Sequence, residues 1–229
     1  MKKLMITLSA ALAVTQGSGV FAATQPVPAP GWMENNATYT LGIASKGWAD
    51  KGFSGDGWTH KSAWGLFKAK RGEMVTVTAD CAAVGSLHPG VTVWFRPKKD
   101  KGNRGDNLYY VPDHFYDQTT TWYAQDAKDD TTGAVVGTIN MKYVANGYDA
   151  DGLDPLLNVQ KDLPNAKVTG YSDGIPGLLS FSFVAAETGD YELASGGLYP
   201  FPKTDLDNSM KKPLNCKFTV SKMPWKTYP

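Results

Sequence analysis

Three histidines, His60, His88 and His114, are the side chains of this sequence most suited to binding a transition metal. Their imidazole nitrogens are ligands that copper, zinc, iron and nickel all accept. No two of them have the spacing of a zinc finger or of a helical pair four residues apart, so a shared ion would be held by separate strands and loops. A single histidine is more often structural, and only its surroundings can favour a metal site.

The surroundings of His60 do favour one. It lies in the stretch Gly-Trp-Thr-His-Lys-Ser-Ala-Trp, residues 57–64, where a turn enters a predicted strand. Residues two apart on a strand share a face, so Trp58 and His60 are expected to point into one pocket. An intact indole offers only an N–H donor, so Trp58 as encoded is a packing residue and not a ligand.

The Trp-x-His motif at the mouth of such a strand resembles the site of the MopE-type and CorA-type copper-binding proteins of methane-oxidising bacteria. In that family the tryptophan is oxidised to kynurenine, whose aromatic amine joins two histidines around copper(I). The resemblance covers most of the mature chain and implies these roles for Trp58, His60 and a second histidine. It also implies a copper-acquiring protein of the outer cell surface, associated with the outer membrane and with a surface protein partner.

The second histidine is assigned to His114, with His88 as the alternative. His114 lies in a polar, aromatic loop, residues 112–118, where an imidazole can turn toward an ion. His88 precedes Pro89, which holds it extended beside a strand start. It begins the third strand of an expected meander, however, and could therefore lie at the same sheet edge as His60.

A second ion site is conceivable in residues 149–154, where Asp149, Asp151 and Asp154 could supply oxygen ligands to calcium. The spacing is not that of an EF-hand. The more common explanation of such a cluster is a solvated acidic loop that caps a short helix, here at residues 153–159.

The N-terminus predicts export. Lys2 and Lys3 precede an apolar run, residues 4–14, and small residues follow, so residues 1–23 are interpreted as a secretory signal peptide. Cys81 and Cys216, the two cysteines of the chain, are expected to form a disulfide in an oxidising compartment. A two-thiolate metal site is the alternative and would require reducing conditions.

The mature chain is expected to be all-β, an antiparallel β-sandwich with long loops and at most short helices. Residues 24–31 are proline-rich and predict an extended arm, and residues 32–229 predict a single domain. Alternating segments with frequent glycine and proline predict the strands. We expect a hairpin of residues 64–80 turned at 70–72, a strand at 91–95 ended by Pro97, strands at 119–124 and 135–144, and three more near residues 181, 191 and 218.

Charge and motifs exclude several classes of function. Lysine and arginine total 23 against 22 acidic residues, so nucleic acid is not an expected partner. No nucleophile elbow or nucleotide-binding loop is found, and the chain is predicted to be a monomeric binding protein, not an enzyme. The main rival is a carbohydrate-binding or adhesive sandwich, because 7 tryptophans and 11 tyrosines could supply stacking platforms. A copper-dependent oxidase is a third alternative.

Overall fold

Strands dominate the computed structural model, which describes residues 23–26, 32–43, 63–84, 87–97, 110–112, 121–128, 134–151, 169–198 and 214–225. The strands are β1 (Ala23–Pro26), β2 (Thr38–Ile43), β3 (Ala63–Ala69), β4 (Glu73–Asp80), β5 (His88–Arg96), β6 (Tyr110–Pro112), β7 (Thr121–Lys128), β8 (Val135–Asp149), β9 (Gly170–Tyr171), β10 (Leu178–Val184), β11 (Gly189–Leu198) and β12 (Leu214–Pro224). A single 3-10 turn, Ala82–Val84, is the one helical segment within these ranges. The predicted all-β class is confirmed.

Two sheets enclose the core. The four-stranded sheet has the order β10-β4-β12-β2, and the six-stranded sheet has the order β3-β11-β5-β8-β7, with β9 paired to the end of β8. Every pairing is antiparallel except that of β8 with β9. Apolar side chains at alternate positions of both sheets meet between them, among them Val75, Val77, Val91, Val93, Phe67, Phe181, Leu193 and Phe218. The predicted sandwich is therefore present.

The expected hairpin of β3 with β4 is wrong, although the turn between them lies where it was predicted. The N–H of Glu73 donates to the carbonyl of Lys70 at 3.0 Å, and the chain then leaves one sheet for the other. β3 pairs with β11, whereas β4 pairs with β10 and β12. Phe67 and Val75 both enter the core. Two strands that bury one face each show the same alternation whether they pair side by side or face each other across a core.

Other predicted strands are found with shifted ends. β5 ends at Arg96, directly before Pro97 as expected, while β7 starts two residues later than predicted and β8 runs on to Asp149. Ala23–Pro26, which includes the start of the expected arm, pairs with Tyr110–Pro112 in a separate two-stranded sheet. Residues 1–22 of the expected signal peptide and the short helix at 153–159 lie outside the described residues.

No helix among the described residues has the length and apolar character needed to cross a membrane.

Cys81 and Cys216 form the predicted disulfide, and both are buried. The bond joins the residue after β4 to β12 and closes a separation of 135 residues. The N–H of Cys81 also donates to the carbonyl of Gly177 at 2.7 Å, which ties the bond to the start of β10. The disulfide therefore anchors one end of the four-stranded sheet.

Replacing both cysteines, Cys81→Ala with Cys216→Ala, is expected to lower the free energy of unfolding by about 4–5 kcal/mol, because a loop of this length no longer restricts the unfolded chain. Urea denaturation followed by tryptophan fluorescence measures the change, and reduced wild-type protein is the matched control. An unchanged midpoint, or two free thiols per chain on labelling under denaturing, non-reducing conditions, would contradict the assignment.

Candidate metal centre

Strand direction brings three strand starts to one end of the six-stranded sheet. β3 and β5 both run antiparallel to β11, and β5 and β7 both run antiparallel to β8. β3, β5 and β7 are therefore parallel to one another and begin at the same end, which we call the upper end. β8 and β11 finish there. The three histidines precede or begin these three strands.

His60 and His88 precede two level strand positions by the same number of residues. Ala63 of β3 and Val91 of β5 both pair with Ser195 and are therefore level. His60 comes three residues before Ala63, and His88 comes three residues before Val91. Three residues span at most about 10–11 Å, so we expect His60 within that distance of the start of β3.

His114 and His88 can be compared by the same count of residues from level strand positions. Thr121 of β7 and Phe95 of β5 both pair with Lys142, so they are level as well. His114 precedes Thr121 by seven residues, and His88 precedes Phe95 by seven. An extended segment of that length spans at most about 25 Å, which is enough to bring His114 to the level of His88.

Trp58, His60 and His114 themselves lie outside the described residues, so their assignment as ligands stays a prediction. His88 is described. As predicted, it starts a strand before Pro89, but β11 separates β5 from β3, so the expected meander is wrong. β3 and β5 nevertheless begin at the same end of the sheet.

His88 is buried against the end of β8. It is 5% exposed, and its Nδ1 lies 2.8 Å from Oδ2 of Asp149, which is fully buried. The approach is off the direction of a hydrogen bond. A metal-binding histidine usually donates its second ring N–H to a carboxylate, and in His88 it is Nδ1 that lies next to one. The contact leaves Nε2 as the ring nitrogen that a metal would take.

Asp149 and Asp151 accept backbone N–H groups from the segment that leads into β10. Oδ2 of Asp149 accepts from Gly177 at 2.6 Å, and its Oδ1 accepts from the N–H of Asp151 at 2.9 Å. Asp151 uses Oδ2 to accept from three consecutive residues, Asp173, Gly174 and Ile175, at 2.7, 2.9 and 3.1 Å. We call this arrangement the carboxylate clamp, because it ties the end of β8 to the start of a strand in the other sheet.

Hydrogen bonding favours the charged form of Asp151. The hydroxyl of Ser172 donates to Oδ1 and, with the backbone donors, holds the pKa of this carboxyl well below its usual range. Burial raises the pKa of the neighbouring Asp173, and the negative charges of Asp151 and Asp149 add to that effect. The clamp thus contains one carboxylate that stays ionised to low pH.

The clamp explains the acidic cluster in structural terms. The oxygens of Asp149 and Asp151 accept hydrogen bonds from N–H donors, which are the partners that suit an anion. Asp154 lies outside the described residues, so a calcium site here stays a prediction. Within the described ranges, no group of three or more His, Cys, Asp or Glu side chains is arranged to hold a metal ion. Sequence reasoning missed the clamp because its donors are backbone groups, and only the Ser-Asp-Gly of residues 172–174 signals such a turn.

Comparison with known proteins agrees with the resemblance carried by the Trp-x-His motif. A family model described as copper(I)-binding protein CorA-like matches residues 22–207. The chain therefore belongs to the CorA-like family of copper(I)-binding proteins. No curated relative matches it.

Two solved structures of copper-binding proteins are similar to this one. One is CorA of Methylomicrobium album BG8, described as a surface-associated copper-binding protein important in copper acquisition. It is 26% identical with a TM-score of 0.67, over 87% of this chain and 98% of that one. The other is the secreted protein MopE of Methylococcus capsulatus, in which an oxidized tryptophan facilitates copper binding. It is 20% identical with a TM-score of 0.55, over 89% of this chain and 93% of that one, and this likeness concerns the fold alone.

Replacing Asp151→Asn is expected to lower the midpoint of thermal unfolding at neutral pH, because the amide lacks the charge that the donors stabilise and its NH2 group opposes them. A carboxyl whose pKa is lower in the folded than in the unfolded protein stabilises the fold above about pH 4, and this stabilisation is lost as the pH falls. The difference between wild type and variant should therefore shrink below about pH 4.

Thermal unfolding between neutral and acidic pH measures this difference. Asp173→Asn is the matched control, since it removes a neighbouring charge but leaves the three N–H groups with Asp151, and its loss should be smaller. A loss for Asp151→Asn that is constant across the pH range would contradict the role of the charge.

Proposed function

We propose that the protein binds one copper(I) ion at the upper end of the six-stranded sheet, through His60, His114 and the aromatic amine of a kynurenine formed from Trp58. Its function is the acquisition of copper at the outer surface of the cell. The observation that supports this proposal is that β3, β5 and β7, the strands that follow or contain the three histidines, begin at the same end of the sheet in a chain of a copper(I)-binding family.

The donor chemistry agrees with copper(I). Both cysteines are used in the disulfide, so no thiolate competes for the ion. Imidazole is a suitable copper ligand, and a site with few donors suits the monovalent ion. Intact indole cannot contribute a lone pair, so oxidation of Trp58 to an aromatic amine supplies the third nitrogen. Copper exposed to oxygen generates oxidants locally, which is a plausible origin of the modification.

His88 is the alternative second ligand, and two observations favour it. Its Nδ1 faces Asp149, as in many metal-bound histidines. β5 is also two strand positions from β3, whereas β7 is four, which corresponds to about 10 and 19 Å across the sheet. The sequence around His114 predicts a polar loop in which an imidazole can turn toward an ion, whereas His88 is buried.

Binding without catalysis is the simplest outcome of such a site. Three nitrogen donors around copper leave room for a water but not for a substrate held by further protein groups. The similar CorA protein is described as surface-associated. We propose the same location for this chain, as a monomer attached to the outer membrane surface, with a surface protein as partner.

Replacing His60→Ala should remove most of the copper from protein purified from its native host, because two remaining donors hold the ion poorly. His114→Ala should have the same effect, and His88→Ala, the matched control, should retain close to one copper per chain. Elemental analysis of the folded protein measures all three. Full copper content in His60→Ala would contradict the proposed site, and copper loss in His88→Ala with retention in His114→Ala would move the second ligand to His88.

Trp58 is expected to be kynurenine in copper-loaded protein from the native host. Peptide mapping by mass spectrometry across residues 57–61 detects the change. Trp58→Phe should weaken copper binding and leave the fold intact, because phenylalanine keeps the ring packing but offers no amine; Trp225→Phe is the matched control. An unmodified Trp58 in fully loaded protein would show that this residue only packs.

A further inference from the structure

The outer face of the four-stranded sheet is covered by hydroxyl groups. Positions that alternate with the core residues of β4, β10 and β12 point away from the core and are exposed or half-buried. With two residues of the edge strand β2, the side chains of this hydroxyl face are Thr38, Thr40, Thr76, Thr78, Ser180, Ser182, Thr219 and Ser221.

Neighbouring strands align these hydroxyls in pairs. Thr76 Oγ1 lies 2.7 Å from Ser182 Oγ, Thr78 Oγ1 lies 3.3 Å from Ser180 Oγ, and Thr38 Oγ1 lies 3.0 Å from the Oγ1 of Thr219. Each pair uses one of its two O–H donors internally and keeps the other donor and several acceptors for an external ligand. Threonine is stiff at χ1, so the threonine hydroxyls of these pairs are held in position.

An apolar row borders one end of the hydroxyl face. Val184 and Met223 both pair with Met74 in the strand register. Val184 is 44% exposed and Met223 is 53% exposed. Trp225 follows Met223 by two residues and is 49% exposed, and its backbone N–H donates to the carbonyl of Gly72 at 3.0 Å. An exposed indole beside an array of hydroxyls can stack on a sugar ring while the hydroxyls bind its polar edges.

Charge restricts what this surface can bind. The two hydroxyl rows that include Thr76 and Thr78 contain no charged residue. In the third row, at the end opposite Met74, Lys217 lies between Thr40 and Asp80, and its charge is opposite to that of Asp80. Lys222 points to the carbonyl of Lys68, at 2.8 Å. Because the charges of Lys217 and Asp80 balance, the face offers no net attraction to nucleic acid or anionic lipid, and a neutral polymer rich in hydroxyls is the partner that suits it.

We propose that the hydroxyl face and Trp225 bind a neutral polysaccharide of the cell surface. This activity does not involve the metal and lies on the four-stranded sheet, whereas His88 lies on the six-stranded one. It would hold the protein at the cell surface.

The test uses the full-length exported protein and two probes, insoluble cellulose and the neutral polysaccharide extracted from the surface of the native host. The triple variant Thr76→Val, Thr78→Val and Trp225→Ala removes two hydroxyls and the indole but keeps the β-branched side chains. It should bind at least about tenfold more weakly than wild type, the equivalent of one net hydrogen bond. Ile175→Ala, which alters another residue of 49% exposure outside the face, should bind like wild type.

Two outcomes would overturn the proposal: wild-type protein that binds neither probe, and a folded triple variant that binds as well as wild type. Circular dichroism and an unchanged midpoint of thermal unfolding show that the variant is folded. The copper-free variant His60→Ala should bind both probes as wild type does. Loss of copper binding and loss of polysaccharide binding can therefore be distinguished.

Discussion

Two buried carboxylates, of Asp149 and Asp151, join the two sheets at the upper end of the molecule. An ionised carboxylate is stable in such a place only if donors surround it, and five backbone N–H groups with one hydroxyl do so. Gly177 is the meeting point, because its N–H binds Asp149 and its carbonyl accepts from Cys81 of the disulfide. The starts of β3, β5 and β7, which follow or contain the candidate ligands, lie at this same end of the sandwich.

This rigidity has a functional consequence. Copper(I) with few ligands needs donors that stay in place, since each nitrogen lost is a large fraction of the coordination. A long loop alone would not hold a donor in place. His60 and His114 come only three and seven residues before Ala63 of β3 and Thr121 of β7, and these short connections limit how far each imidazole can lie from the sheet. His88, packed against Asp149, begins β5, which lies between β3 and β7 in the sheet.

The sequence predicted individual strands better than their partners. Burial of one face imposes a period of two, so segments such as Val75–Val77–Ala79 were recognisable, but the same pattern suits pairing with β3 and packing across the core from it. The disulfide was predictable from the compartment. The clamp was not, because its donors are backbone groups brought together by the fold, and Asp149 and Asp151 were interpreted as a solvated loop or a calcium site. The roles of Trp58, His60 and His114 follow from the family resemblance, and strand register adds an argument that the sequence did not contain.

The central claim is that one copper ion lies at the upper end, between histidine-bearing segments. Crystals of copper-loaded protein from the native host, measured on both sides of the copper absorption edge, test it most directly. The account predicts one anomalous peak per chain, within coordination distance of His60, a second imidazole and the amine derived from Trp58. A peak at the carboxylate clamp or at the opposite end of the six-stranded sheet would contradict it.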